Sequence, residues 1–333
     1  MGKKVLIYTN YPITYQTRLE KSFIDTGYEV VHIIPDGKDP AIVESAVNVL
    51  ADCSVAILGG ALPLDAIVNA KDLKWIHYDW VGVEGAMSKD IFDKGILVTN
   101  GSGRNSICLS EHVFYFIFTL GYETRQIFAS QDAHQWGVRH EYPYTSLFGK
   151  TMVIAGTGSI AQEVAKRAKA FDMKTIGYCR TPKEGLDMFD ELKTSESGVR
   201  LIDIAPEADF LISTMSLNAA TYHMIDAALL RSMKNTSFVI NISRGSVIDE
   251  VALAEALKSK TIAGAGCDTF EQEPLSPDSP LWDLKNMVIT PHSTPQSPLK
   301  FEIGVDTIVS NIGRLERGDR LLNQQSPKDL FVK

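Results

Sequence analysis

The sequence predicts an α/β protein built from two doubly wound, mostly parallel sheets. Three observations predict it: short apolar runs alternate with helical patterns along the chain, a long apolar helical stretch after residue 105 interrupts that alternation, and one strand runs through Gly156-Thr157-Gly158 into a helix. A length of 333 residues fits two domains. Hydrophobic residues at 44% and charged residues at 22% are an ordinary globular balance, so each domain has the material for a core. A net charge of -8 with no basic run argues against nucleic acid as a partner.

In chain order, residues 4–9 read as a buried parallel strand, Arg18 to Thr26 as a helix closed by Gly27, and Glu29 to Ile34 as a second strand. Ala41 to Leu50 is a helix; Val55 to Leu58, Leu73 to Tyr78 and Ile96 to Thr99 complete five strands. Ser106 to Phe128 reads as one long apolar helix, followed by Trp136 and an aromatic, poorly periodic segment, His140 to Phe148, that is a candidate subunit contact or a loop folded onto its own domain. Six strands follow Lys150: Thr151–Ala155, Lys174–Tyr178, Phe210–Ser213, Phe238–Ile242, Ala263–Cys267 and Met287–Thr290, with helices at Ser159–Phe171, Tyr222–Met233 and Glu250–Ser259. A last helix, Phe301 to Arg317, is left to return to the first unit, so that unit is expected to be discontinuous.

The targeting signals are spare. Met1 to Lys4 leads straight into a strand, so no signal peptide is expected. The longest apolar run, Val113 to Leu120, is too short to span a bilayer. Cys53, Cys108, Cys179 and Cys267 lie far apart without a C-x-x-C pair and read as reduced thiols. A cytoplasmic protein without membrane partner or metal is expected.

The Gly156-x-Gly158 turn points to a dinucleotide. Gly156 lets the chain reverse without a Cβ, Gly158 lets backbone approach a ligand, and the free N–H groups at the helix start, around Ser159 and Ile160, face an anion such as a pyrophosphate. An NAD site in such a sheet places an acid at the end of the second strand to hold the ribose 2′-hydroxyl. Here Cys179 stands at that place, followed by Arg180, Thr181 and Lys183. A guanidinium, a hydroxyl and an ammonium suit a 2′-phosphate, so NADP(H) is expected over NAD(H).

Three further strand ends carry charge: Arg244 after Ile242, Asp268 and Glu273 after Cys267, and His292 after Thr290. Strand carboxyl ends are where such sheets bind ligands. Reduction of a carbonyl by a nicotinamide needs a cation for the substrate carboxylate, an acid for the oxygen and a group that keeps the acid charged. Arg244 suits the first by its bidentate fork, His292 the second by its titration range, and Glu273 the third because a neighbouring carboxylate favours imidazolium.

Together these motifs resemble the NAD(P)-dependent D-2-hydroxyacid dehydrogenases, a family that includes glyoxylate/hydroxypyruvate reductases and phosphoglycerate dehydrogenases. The resemblance rests on Gly156, Gly158, Ile160 and Ala161, on Asn241-Ile242-Ser243-Arg244-Gly245, on Asp268 through Glu273-Pro274-Leu275, and on Pro291-His292. It implies a Rossmann cofactor domain over 103–297 and a discontinuous flavodoxin-like substrate domain over 1–102 and 298–333. It also implies catalysis by Arg244, Glu273 and His292, with Asp268 near the nicotinamide amide and Thr214, Met215 and Ile242 beside the cofactor cleft. A loop of the first unit, Trp80-Val81-Gly82-Val83-Glu84, matches the family's carboxylate-binding Gly-Ala-Gly-Val-Asp, with Trp80 replacing a small residue. His112, on the interdomain helix rather than at a strand end, is expected to be structural. The implied reaction is the reversible reduction of a 2-keto acid to a D-2-hydroxy acid by NADPH, and the family, with the segment from Trp136 to Phe148, implies a homodimer. The rivals are NAD-linked oxidation of a D-2-hydroxy acid and an NAD(H)-binding corepressor. Tyr11, Tyr78, Trp80 and Trp136 leave the substrate open, since they could line an aromatic pocket or narrow a small one.

Overall fold

A computed structural model describes residues 3–36, 39–83, 85–136, 145–181, 184–294 and 296–330. The chain divides into two compact units, Met1–Asn105 with Ser297–Lys333, and Ser106–Gln296.

The first unit contains β1 (Lys4–Tyr8), α1 (Ile13–Ile24), β2 (Glu29–Ile33), α2 (Pro40–Leu50), β3 (Val55–Leu58), α3 (Leu64–Asn69), β4 (Trp75–Tyr78), α4 (Lys89–Asp93) and β5 (Leu97–Asn100). The strands pair in parallel in the order β2-β1-β3-β4-β5, the flavodoxin-like winding. Both faces of this sheet are covered, which is why β3 and β4 are buried along their whole length.

The second unit contains α5 (Ser106–Gly121), α6 (Thr124–Asp132), β6 (Thr151–Ala155), α7 (Ser159–Ala170), β7 (Lys174–Cys179), β8 (Glu191–Thr194), α8 (Leu201–Ile204), β9 (Phe210–Ser213), α9 (Ala227–Ser232), β10 (Phe238–Asn241), α10 (Glu250–Lys258), β11 (Gly264–Cys267) and β12 (Met287–Ile289). Its seven parallel strands run β12-β11-β10-β9-β6-β7-β8. The order reverses between β6 and β9, so the crevice beyond Ala155 and Ser213 is the topological switch point at which these sheets take a ligand. The last helix, α11 (Leu299–Arg317), belongs to the first unit, where Val305, Ile308 and Ile312 enter a core with Leu19 and Phe23 of α1.

Three elements differ from the sequence reading. β8 is a seventh strand where six were expected; it is an edge strand with only Thr194 buried, so it lacks an apolar signature. The long helix after Ser106 breaks at Glu123, which takes a left-handed φ of 48°. The helix expected from Tyr222 starts at Ala227, where the Asp226 carboxylate accepts from the Leu229 N–H at 2.8 Å and caps it. Residues 137–144 of the aromatic segment lie outside the described residues; Trp136 is 99% exposed.

Candidate active site

The glycine turn follows directly from β6. Gly156 has φ +105°, and a Cβ there would collide with Thr214, whose N–H and hydroxyl both bond the Ala155 carbonyl, at 2.9 and 3.0 Å. Glycine is therefore required both by the conformation and by the close approach of β9's end. Gly158 is different: a Cβ would meet nothing within 4 Å. No side chain caps α7, which begins at Ser159, so its first N–H groups are left for an anion. Ile160 packs partly and Ala161 fully into the core beneath the turn, and Ile242 is also buried there. Met215 packs against the core on the sheet's other face. These residues fit the pyrophosphate of a dinucleotide: a glycine-lined approach, an uncapped helix and the switch point coincide.

The ribose end is looser. Cys179 ends β7 half-buried, with its thiol 3.2 Å from the Thr181 carbonyl, and Arg180 and Thr181 are exposed. Thr181 Oγ1 donates to Glu196 Oε1 at 2.9 Å, and the Glu196 N–H donates to the Arg180 carbonyl at 3.1 Å. An acid thus does stand beside this turn, contributed by the segment after β8 and invisible to a search for one at the end of β7. Lys183 lies outside the described residues.

The turn bearing Arg244 is fixed from within. Asn241 Oδ1 accepts from Ser243 N at 3.1 Å and from Ser243 Oγ at 2.7 Å, Asn241 Nδ2 donates to the Arg244 carbonyl at 3.1 Å, and Ser213 Oγ lies 2.8 Å from Ser243 Oγ. Gly245 packs so closely on Phe270 and Glu271 that any Cβ would overlap their backbone. Arg244 is thereby held against the segment that carries Glu273, and its Nη1 donates to the Ser243 carbonyl at 2.8 Å.

Glu273 and His292 meet. Glu273 Oε2 lies 2.8 Å from His292 Nδ1, while Oε1 accepts from the Phe270 N–H at 3.0 Å. His292 takes a left-handed φ of 51°, an uncommon conformation for a non-glycine residue, and its N–H donates to the Asp268 carbonyl at 2.9 Å. Half-buried Glu250 bonds the Glu271 N–H at 2.5 Å; burial, reinforced by Glu271 and Glu273, raises its carboxyl above the usual range.

Asp268 is 1% exposed and its carboxylate is a strut. Oδ1 accepts from Thr290 Oγ1 at 2.5 Å and from the Ser293 N–H at 3.0 Å, and Oδ2 accepts from Thr294 Oγ1 at 3.0 Å. Its side chain therefore shapes the segment around His292, a task the sequence did not reveal.

In the first unit, the carbonyls of the Trp80 loop are tied from behind. Asn100 Nδ2 donates to the Val81 carbonyl at 2.7 Å, the Gly101 N–H to the Trp80 carbonyl at 3.0 Å, and Arg104 to the Asp79 carbonyl. Arg104 also pairs with the Asp79 carboxylate, whose burial pushes its titration up against the pull of that guanidinium. With the carbonyls so engaged, no acceptor among the described residues meets the N–H groups of Val81, Gly82 or Val83. Trp80 tilts onto Tyr78 at 4.9 Å, and Tyr78 and Tyr11 are core residues, 1% and 6% exposed. Of the four rings, two are thus interior, Trp80 is half-buried and Trp136 is exposed. Glu84 lies outside the described residues.

A family model described as D-isomer specific 2-hydroxyacid dehydrogenase, NAD binding domain, matches residues 114–294. The glyoxylate reductase of Korarchaeum cryptofilum is 33% identical over 288 residues, covering 83% of this chain and 84% of that protein. The D-3-phosphoglycerate dehydrogenase of Methanocaldococcus jannaschii is 33% identical over 274 residues, 81% of this chain and 50% of that protein. Among solved structures, a D-isomer specific 2-hydroxyacid dehydrogenase family protein from Aeromonas salmonicida has a TM-score of 0.77 at 25% identity, over 98% of this chain and 99% of that one. The chain belongs to the D-isomer specific 2-hydroxyacid dehydrogenase family, oxidoreductases that reversibly reduce 2-keto acids with NAD(P).

Proposed function

We propose that this protein reduces a 2-keto acid to the D-2-hydroxy acid with NADPH. The observation that carries the reading is the His292–Glu273 pair, at 2.8 Å, on the same sheet edge as Arg244 and the glycine turn. The bound coenzyme supplies hydride. Arg244 forks onto the substrate carboxylate, a role that the family resemblance extends to the backbone N–H groups of Val81, Gly82 and Val83. Glu273 occupies Nδ1 of His292, so the proton leaves for the carbonyl oxygen from Nε2. Arg244 and the imidazolium then meet the charge that builds on that oxygen. The exposed Arg180 and the missing acid at the end of β7 support NADPH, and Glu196 is the observation that favours some use of NADH.

A panel of 2-keto acids offered with NADPH and with NADH tests this directly. Turnover of at least one keto acid, with kcat/KM higher for NADPH, is the expected result. Equal use of both coenzymes would remove the assignment of Arg180, and no turnover with any keto acid would remove the reaction itself. We also propose a homodimer, supported by Tyr115, Phe118, Tyr122 and Phe128, large rings left exposed on α5, on α6 and in the turn between them. A monomer in sedimentation at micromolar concentration would overturn that assignment.

A further inference from the structure

Beneath the His292 segment, four side chains close a ring. His112 on α5 is 4% exposed and stacks on Phe116 with centroids 4.7 Å apart. Its Nε2 lies 3.2 Å from Thr290 Oγ1 and its Nδ1 lies 3.2 Å from Thr294 Oγ1. Thr290 reaches Asp268 Oδ1 at 2.5 Å, and Thr294 reaches Asp268 Oδ2 at 3.0 Å. Thr290 and Thr294 flank Pro291-His292-Ser293, so one imidazole touches both ends of the segment that presents the proposed acid.

Counting protons limits how the ring is wired. Each hydroxyl carries one proton, an ionised Asp268 carries none, and a neutral imidazole carries one, which makes three protons for four links. Both threonines spend theirs on Asp268, at 2.5 and 3.0 Å, so the one proton of a neutral His112 goes to one of the two threonines. We infer that His112 is a positioning residue for the reaction: its two ring nitrogens reach Thr290 and Thr294 at 3.2 Å and brace both ends of the His292 segment.

The surroundings favour the neutral form. Burial lowers the His112 titration below the ordinary imidazole range, and Asp268 opposes this in part. The other polar groups near it do not supply a counter-charge: Tyr115 meets the ring edge-on at 5.6 Å, and Glu111 is turned toward Arg167 of α7 at 3.8 Å. The inference rests on the proposed role of His292, but the wiring itself needs no substrate to be read.

Two variants and one spectrum test it. In His112→Gln the amide keeps one donor and one acceptor; His112→Phe keeps the stack on Phe116 and loses both links. The glutamine variant is expected to retain kcat within about threefold. The phenylalanine variant, folded by circular dichroism, is expected to lose about 10- to 100-fold in kcat, with KM and coenzyme Kd nearly unchanged, because a small misplacement of a catalytic group costs rate more than binding. Nitrogen-15 spectra of the whole protein should show the His292 imidazole signals moved in His112→Phe and kept near their wild-type positions in His112→Gln. The inference is overturned by a folded His112→Phe with wild-type kcat, by a glutamine variant as slow as the phenylalanine one, or by His292 signals that His112→Phe leaves in place. A wild-type protein that turns over no keto acid would defeat the proposed function while those signals still decided whether His112 positions the segment.

Discussion

At one end of the seven-stranded sheet's carboxyl edge, Asp268 is 1% exposed and accepts from Thr290, Ser293 and Thr294; at the other, exposed Thr181 donates one hydrogen bond to Glu196. The first end carries the proposed chemistry and the second the choice between two coenzymes. Chemistry needs its groups held to a fraction of an ångström, and buried, mutually satisfied hydrogen bonds do that. Discrimination between a hydroxyl and a phosphate at a solvent-facing edge needs only a balance of charges. The same sheet therefore commits many residues to Arg244, Glu273 and His292 and few to Arg180.

The largest effect that can test this contrast is at the held end. His292→Ala is expected to lower kcat by about two to four orders of magnitude, the range for a lost acid–base group, while coenzyme Kd stays near wild type. Stopped-flow reduction and equilibrium binding separate the two quantities. A drop in both together would mean that His292 supports the fold of the edge and not the proton transfer.

Between the two ends lies the glycine turn. Gly156→Ala puts a Cβ into Thr214 at φ +105°, and we expect it to destabilise the protein by about 1–3 kcal/mol in urea unfolding. Gly158→Ala meets open space and should leave the urea midpoint in place while weakening coenzyme binding. If both variants lose stability equally, Gly158 has a packing role and is not kept for the ligand.

These contrasts also explain what could be read without coordinates. Gly156 was legible because its geometry excludes every other residue, and Arg244, Glu273 and His292 stood out as candidates because charged residues in the turns beyond strand ends mark the edge where such sheets bind ligands. The clamp on His292 was not: Thr290 and Thr294 lie 178 and 182 residues from His112, and a histidine on an apolar helix carries no mark of what it will touch. β8 was missed for the opposite reason, since an edge strand with one buried residue has no apolar run, and with it went Glu196. The break between α5 and α6 falls at Glu123, where neither glycine nor proline signals a left-handed turn.

At the loose end, Arg180→Ala is expected to lower kcat/KM for NADPH about tenfold and to leave NADH nearly untouched, the size of a charge-assisted hydrogen bond to an exposed phosphate. Unchanged use of NADPH would show that some other group holds the 2′-phosphate.

Glu196→Gln is the smallest change and the sharpest probe of the balance. The amide oxygen can still accept from Thr181, so the turn keeps its hydrogen bond at 2.9 Å and loses only a negative charge. A carboxylate beside a doubly charged phosphate repels it, but at an exposed site that repulsion is screened, so the gain for NADPH over NADH should be about two- to fivefold in kcat/KM. The gain should fade as salt rises toward 1 M, where the screening length is about 3 Å. A ratio that does not move, or that moves toward NADH, would mean Glu196 serves the Thr181 turn alone and that charge balance does not set the coenzyme preference of this edge.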